Sequence, residues 1–176
     1  MSPKAIPILA ALCLASSAAA AQPAAAGKPT DPQIAHIAYT AGQIDIQAAQ
    51  LALKKSKNKQ VRAFANDMVR DHKAVNAKAL ALVKKLKVKP QDNDTSRALA
   101  KQAEAKRKEL SGLKGAEFDR AYAQNEVAYH QQVNGALQST LIPSADNPEL
   151  KQLLSTGLQI FQGHQQHAEQ LAQGLK

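Results

Sequence analysis

Of the five histidines in this chain, three sit where an imidazole stands out. His72 and His164 each occupy a position in an otherwise apolar helical stripe, and His130 follows Glu126 by four residues, on one helix face. Imidazole nitrogens joined by a carboxylate make a ligand set suited to zinc, copper, iron or manganese. The same residues could equally hydrogen-bond one another, the tyrosines and the acids as a buried polar network. Glu126 and Asp45 are the carboxylates able to join either arrangement. Asp71 neighbours His72 in sequence but points about 100° around the helix, so it is not expected to be its partner. His167 lies on a face next to that of His164 and is read as exposed, an accessory ligand at most. His36 is read as a surface residue.

Catalytic constellations are not legible. No Ser-His-Asp arrangement can be argued from spacing, and neither a glycine-rich phosphate loop nor an internal repeat is visible. Di-iron bundles use Glu-x-x-His pairs. The nearest approaches here, Glu126-x-x-x-His130 and Asp67-x-x-x-x-His72, have other spacings. The chain therefore reads as a non-enzymatic protein.

The elements that must position these side chains follow from proline placement. All eight prolines fall at 3, 7, 23, 29, 32, 90, 143 and 148, leaving long uninterrupted blocks in which helices can run. A first helix starts after Thr30-Asp31-Pro32 and extends to about Lys57, with Ile34, Ile37, Ala41, Ile44, Ala48 and Leu51 as its seam; Asp45 lies one position off it. A second helix ends near Lys87. Its seam is Val61, Ala65, Met68, His72, Val75, Ala79, Leu82 and Leu86, alternating steps of four and three. The short Ser56-Lys57-Asn58 break makes these two an antiparallel hairpin.

After a polar turn at 88–95, a weaker and very polar helix is expected over 96–110. A longer one runs from about Ala116 to Thr140, and 141–147 reads as a loop. Asn147-Pro148-Glu149 then restarts the chain. The last helix carries Leu150, Leu154, Gly157, Phe161, His164, Ala168 and Leu171. The fold class is all-α: a four-helix bundle with one short connecting helix. His72, His130 and His164 each lie about 11–16 residues into their helices, roughly 16–24 Å along the axis. Packed side by side, those helices bring the three to one level, with Asp45 alongside.

Residues 1–21 read as a secretory signal peptide, with a basic start, an apolar run and small residues before a cut after Ala21. Residues 22–30 are a flexible lead-in, and 31–174 form one domain. The destination is periplasmic or secreted, with no membrane-spanning segment in the mature chain. Cleavage would remove Cys13, the one cysteine, and with it any disulfide or thiolate ligand. The charge of +9 becomes +8 without Lys4. Its lysines cluster at helix C-termini, where they complement the macrodipole, and no aromatic residues accompany them for base stacking. Specific nucleic-acid binding is not expected; anionic envelope polymers remain an alternative partner, and the surface allows an oligomer.

Three stretches carry a resemblance: F-A-N-D-M-V-R-D-H-K-A-V-N (64–76), G-A-E-F-D-R-A-Y (115–122), and the H-x-x-x-A of His164 and Ala168. Over about residues 31–171 the chain resembles the bacterial secreted family catalogued as domain of unknown function 4142. The resemblance implies a ferritin-like helical bundle exported from the cytoplasm, with His72, His130 and His164 as the matching histidines. The family's pattern has Glu-Ile at mid-helix 1, where this chain has Asp45-Ile46, a carboxylate one methylene shorter. Two functions follow as expectations: an accessory or stress-related envelope protein, and a metal-binding protein built on the histidine layer.

Overall fold

The computed structural model describes residues 27–175. The stretch 1–21 read as a signal peptide and the first residues of the expected lead-in lie outside that range. Helices α1 (Asp31–Lys55), α2 (Lys59–Lys85), α4 (Gly115–Ala136) and α6 (Pro148–Gly174) form the bundle; α3 (Asp94–Gly112) and the single turn α5 (Ile142–Ser144) join it. There is no strand among the described residues, and no helix there is long and apolar enough to cross a membrane.

Side-chain contacts mark the starts of α1, α2, α3 and α6. The Gln33 side chain accepts from the Thr30 N–H ahead of Pro32. Asn58 accepts from the amides of Gln60 and Val61, Asn93 from Ser96, and Asn147 from Glu149 and Leu150. Each side chain satisfies amides that have no partner inside the helix. Lys54 and Lys55 close α1, and Lys84 and Lys85 close α2, at opposite ends of the hairpin.

Neighbours in the bundle run antiparallel: α1 against α2, α2 against α6, α6 against α4, and α4 against α1. This makes α2 and α4 point the same way. The chain leaving α2 must therefore return the length of the bundle before α4 begins. That is why the connecting helix is not short: α3 has 19 residues, about 28 Å at 1.5 Å per residue, and lies mainly on the outside of α1. It is held near its two ends, with only Ser96 and Leu110 buried.

Two further expectations change. The 141–147 segment is not simply a loop, because α4 runs on through a π-helical turn, Leu137–Leu141, into α5. Pro143 has no N–H and crowds the carbonyl four residues back; the wider turn, with Ile142 N–H bonding Leu137 O, takes the chain past it. Covered by α2 on one side and α3 on the other, α1 buries a face wider than one stripe. Asp45, Ala49 and Ala52 are fully buried, while Ile44, Ala48 and Leu51 are half-buried. Asp45 thus lies on the buried seam and not beside it.

Apolar side chains gather into two clusters. One, around Phe64, Phe118 and Tyr122, fills the end where α1 meets α2. The other, around Ile34, Leu137 and Leu154, fills the opposite end. The histidines lie between them.

Candidate metal centre

Each helix of the bundle contributes to one buried layer: α1 gives Asp45, α2 His72, α4 Glu126 and His130, and α6 His164. All five are less than a tenth exposed. The histidine ring centroids form a nearly equilateral triangle, with sides of 5.3 Å (His72–His164), 5.5 Å (His130–His164) and 5.8 Å (His72–His130). The structure thus brings together all five candidates read from the sequence. Potential ligand atoms of His72, His130 and His164 lie within 4.8 Å of one another, as do those of Asp45, Glu126 and His130.

Two distances bear on an ion. Asp45 Oδ2 is 3.5 Å from His72 Nε2 and 3.5 Å from His130 Nε2. Atoms sharing a tetrahedral ion at about 2.0–2.1 Å lie about 3.4 Å apart. The two Asp45–histidine separations already match that spacing, and the ligand atoms of the histidine triad, within 4.8 Å of one another, would close to it about a shared ion. The aspartate is short but fully buried, and its helix stands close enough to reach.

Hydrogen bonds decide which nitrogens are free. His130 Nδ1 is 2.9 Å from the Glu126 carbonyl, which can only accept, so Nδ1 carries the proton and Nε2 keeps its lone pair. His164 Nε2 donates to Asp71 Oδ2 at 3.0 Å, leaving Nδ1 unprotonated. Arg70 grips Asp71 through Nε and Nη2 at 2.7 and 2.9 Å. This is the carboxylate–imidazole arrangement that fixes a metal-binding ring and raises its basicity. Among the described residues, His130 Nε2, His164 Nδ1, both nitrogens of His72, both oxygens of Asp45 and Glu126 Oε2 are buried without a hydrogen-bond partner. So many orphaned polar atoms in one layer run against the rule that buried polar groups are satisfied.

Burial also sets the charge state. It lowers His72 well below the usual imidazole value, with the neighbouring His130 and His164 adding to the effect. It takes His130 down to about 4, and it lowers His164 against the opposing pull of Asp71. All three are therefore neutral at pH 7, as ligands must be. Burial raises Asp45 to about 7, and the adjacent Glu126 carboxyl partly offsets this. Glu126 is raised well above the carboxylate range by burial and then by the charge of Asp45. One proton shared between the two acids is the consistent arrangement, and a cation would displace it.

Asp71 escaped sequence reasoning because only its relation to His72 was considered. It turns instead toward α6 and orients His164. The signal available was two acids, Asp67 and Asp71, with Arg70 beside a seam histidine. Phe161, read as plain core, stacks on His72 at 4.6 Å with planes 6° apart. His167 is exposed, as expected, and meets Phe64 edge-on. His36 is half-buried, outside the layer.

Helix order, crossover helix and buried layer together define an all-α bundle protein with a histidine–carboxylate core. The chain belongs to the family described as Domain of unknown function (DUF4142), which matches residues 15–171. No curated protein matches it in sequence. Among solved structures, CopM in the Cu(II)-bound form superposes with a TM-score of 0.62 over 83% of this chain and 98% of that one, at 18% identity. At that identity the likeness is one of fold.

Proposed function

We propose that this protein binds a single transition-metal ion, copper(II) first among candidates, through His72, His130 and His164 with Asp45, while Glu126 adjusts the charge beside them. One observation carries the reading: three neutral imidazoles and two carboxyl groups converge with their lone pairs unpartnered in a buried layer. Nitrogen-rich sites suit copper and zinc, and copper(II) stands highest in intrinsic divalent affinity. The fold shared with a protein whose structure holds Cu(II) supports the same choice. The role is binding, with no turnover assigned. The leader at residues 1–21 directs the protein out of the cytoplasm, so the ion would be held in the envelope.

The test is a set of thermal melts on untagged, chelator-stripped protein with Cu(II), Zn(II), Mn(II) and Fe(II). At a hundredfold excess over Kd a bound ion stabilises by about 2.7 kcal/mol, which raises Tm by roughly 5–10 °C for a chain of this size. His72→Leu keeps the stripe apolar, so its apo melt should stay near wild type while the copper shift disappears. Equal wild-type melts with and without every metal would refute the proposal.

A further inference from the structure

Every candidate ligand is buried, so an ion has to pass the wall of the bundle to reach the layer. Two hollows between α3 and α4 lead inward. The outer one, about 210 Å³, is walled by Leu99 and Gln102 of α3 and by Ala128 and Gln132 of α4. The inner one, about 40 Å³, extends to Asp45 and Glu126. Ala103, Lys106, Asn125 and Tyr129 line both, so the hollows meet at those four side chains. We propose that this groove is the passage by which the ion enters, with Asn125 and Tyr129 as its neck and the Asp45–Glu126 carboxyl pair as its first anchor inside. The proposal rests on the copper reading above and gives that site its route.

Size and lining fit a hydrated cation that loses water on the way. One water needs about 10–15 Å³ of such space, so a shell of six takes roughly 60–90 Å³. The outer hollow admits that shell, and the side-chain amides of Gln102 and Gln132 can hydrogen-bond it. The inner hollow is too small for it, so water must be given up at the neck. Oxygens wait on the far side: both of Asp45 and Glu126 Oε2 are buried without a hydrogen-bond partner among the described residues. The neck is anchored to that pair and to α1. Asn125 Nδ2 donates to Glu126 Oε1 at 3.3 Å, and the Tyr129 hydroxyl donates to the Ala41 carbonyl at 2.8 Å.

Charge separates this route from the other edge of the layer. Between α2 and α6, His164 turns its protonated Nε2 toward Asp71, and Arg70 spans Asp67 and Asp71. An ion arriving there meets a guanidinium and then a nitrogen with no lone pair to offer. The α3 groove also carries cations, but they are drawn aside: Lys106 Nζ pairs with Glu109 at 2.7 Å, and Arg107 Nη1 donates to Gln47 Oε1 at 2.6 Å. Lys106 still places a positive charge beside the neck, which slows entry and supplies one arm of the test.

The experiment mixes full-length, chelator-stripped protein with Cu(II) in a stopped-flow cell and follows quenching of tyrosine emission; excess chelator then gives the release rate. Ala103→Leu narrows the neck, and Ala128→Leu, at an exposed position of α4, narrows the outer hollow and serves if the first variant folds poorly. Each should slow uptake and release together by about tenfold and leave Kd within twofold, because an obstructed passage raises the barrier in both directions and alters neither end state. Lys106→Gln should speed uptake about threefold at low ionic strength, an advantage that fades in high salt. Unchanged rates in both narrowed variants overturn the route, and so does a weaker Kd carried by faster release alone, which would place those positions at the site itself. A wild type with no copper bound at equilibrium refutes the copper reading and the route with it; that outcome is read from the end point of the titration, apart from any rate.

Discussion

The two halves of the bundle are built differently, and the histidine layer is the boundary between them. In one half, Phe64, Phe118 and Tyr122 are fully buried, with Phe64 edge-on to Tyr122 at 6.2 Å and Phe118 stacked on it at 6.1 Å. Leu110 of α3 caps that end, and the turns there, 56–58 and 113–114, are two or three residues long. The other half is mostly aliphatic; its core residues Leu137, Leu141, Leu150, Leu154 and Phe161 retain 3–9% exposure and line a cleft of about 330 Å³ between α3 and the bundle. Its connections are longer, the 86–93 turn and the π-turn region 137–147. A packed aromatic end can hold helix spacing fixed, while a looser end lets the layer between them contract about an ion.

The largest expected effect tests that difference directly. Phe64→Ala opens a cavity in the packed half with no neighbour free to fill it, a loss of about 3–5 kcal/mol. Phe161→Ala removes an equal volume from a residue already facing open space, and should fall at or below the bottom of that range. Urea unfolding of both variants without metal measures the gap, and equal losses would mean the halves are equally packed.

Next in size is the outer support of the layer. Asp71→Ala leaves His164 without the carboxylate that orients it, and such partners are worth about 10–100-fold in metal affinity. Asp71 is partly exposed, so the apo-protein should unfold near the wild-type urea midpoint. A copper titration by competition with a chelator gives the affinity. Unchanged affinity would mean that packing alone fixes the His164 ring.

The pH dependence of the apo-protein separates the layer from both halves. Asp45 titrates near 7 when folded against 3.8 otherwise. Between those values the folded state holds the extra proton, so stability falls as pH rises, by up to about 1.4 kcal/mol per unit. His130 goes the other way: with a folded value of about 4 against 6.5, the unfolded state binds more protons in that window and stability rises with pH. His72 and His164 act in the same sense as His130, and Glu126 in the same sense as Asp45. The opposing slopes offset between pH 4 and 6.5. Asp45→Asn removes one falling arm, so the stability of the variant should rise more steeply with pH than wild type over that range. Denaturant midpoints at pH 4.5, 5.5 and 6.5 decide it; parallel curves would show that Asp45 does not carry that proton.

How far the sequence could be read follows the same division. The seam of α2 is regular and its histidine visible, because period alone reveals a buried stripe. Asp45 was placed one position off the seam of α1 because stripe-counting assumes one covered side, and α1 is covered on two. The body of α3 was legible, 96–110 against the observed Asp94–Gly112; that it spans the bundle follows only from the parallel course of α2 and α4, because its own residues are polar. Pro143 suggested a break where a π-turn carries the chain through. The five candidate ligands were legible as residues at one level, but the proton positions that free His130 Nε2 and His164 Nδ1 depend on contacts no spacing encodes.

The smallest expected effect compares two caps of the same kind. Asn58 receives the Gln60 and Val61 amides at 2.8 and 3.3 Å at the packed end; Asn147 receives those of Glu149 and Leu150 at 2.9 and 3.0 Å at the other. Asn→Ala at either cap removes about 1 kcal/mol, so the chemistry is matched and only the surroundings differ. If the packed half unfolds only with the whole molecule, Asn58→Ala should speed amide exchange throughout α2 by about fivefold, as a global loss of that size requires. If the cleft half opens by itself, Asn147→Ala should speed exchange in the first turns of α6 and around the π-turn, leaving the slowest amides near Phe64 and Tyr122 at their wild-type rates. Hydrogen exchange followed by mass spectrometry resolves the two patterns. Uniform acceleration by Asn147→Ala would show one cooperative unit, and the layer would then contract about an ion only by moving both halves together.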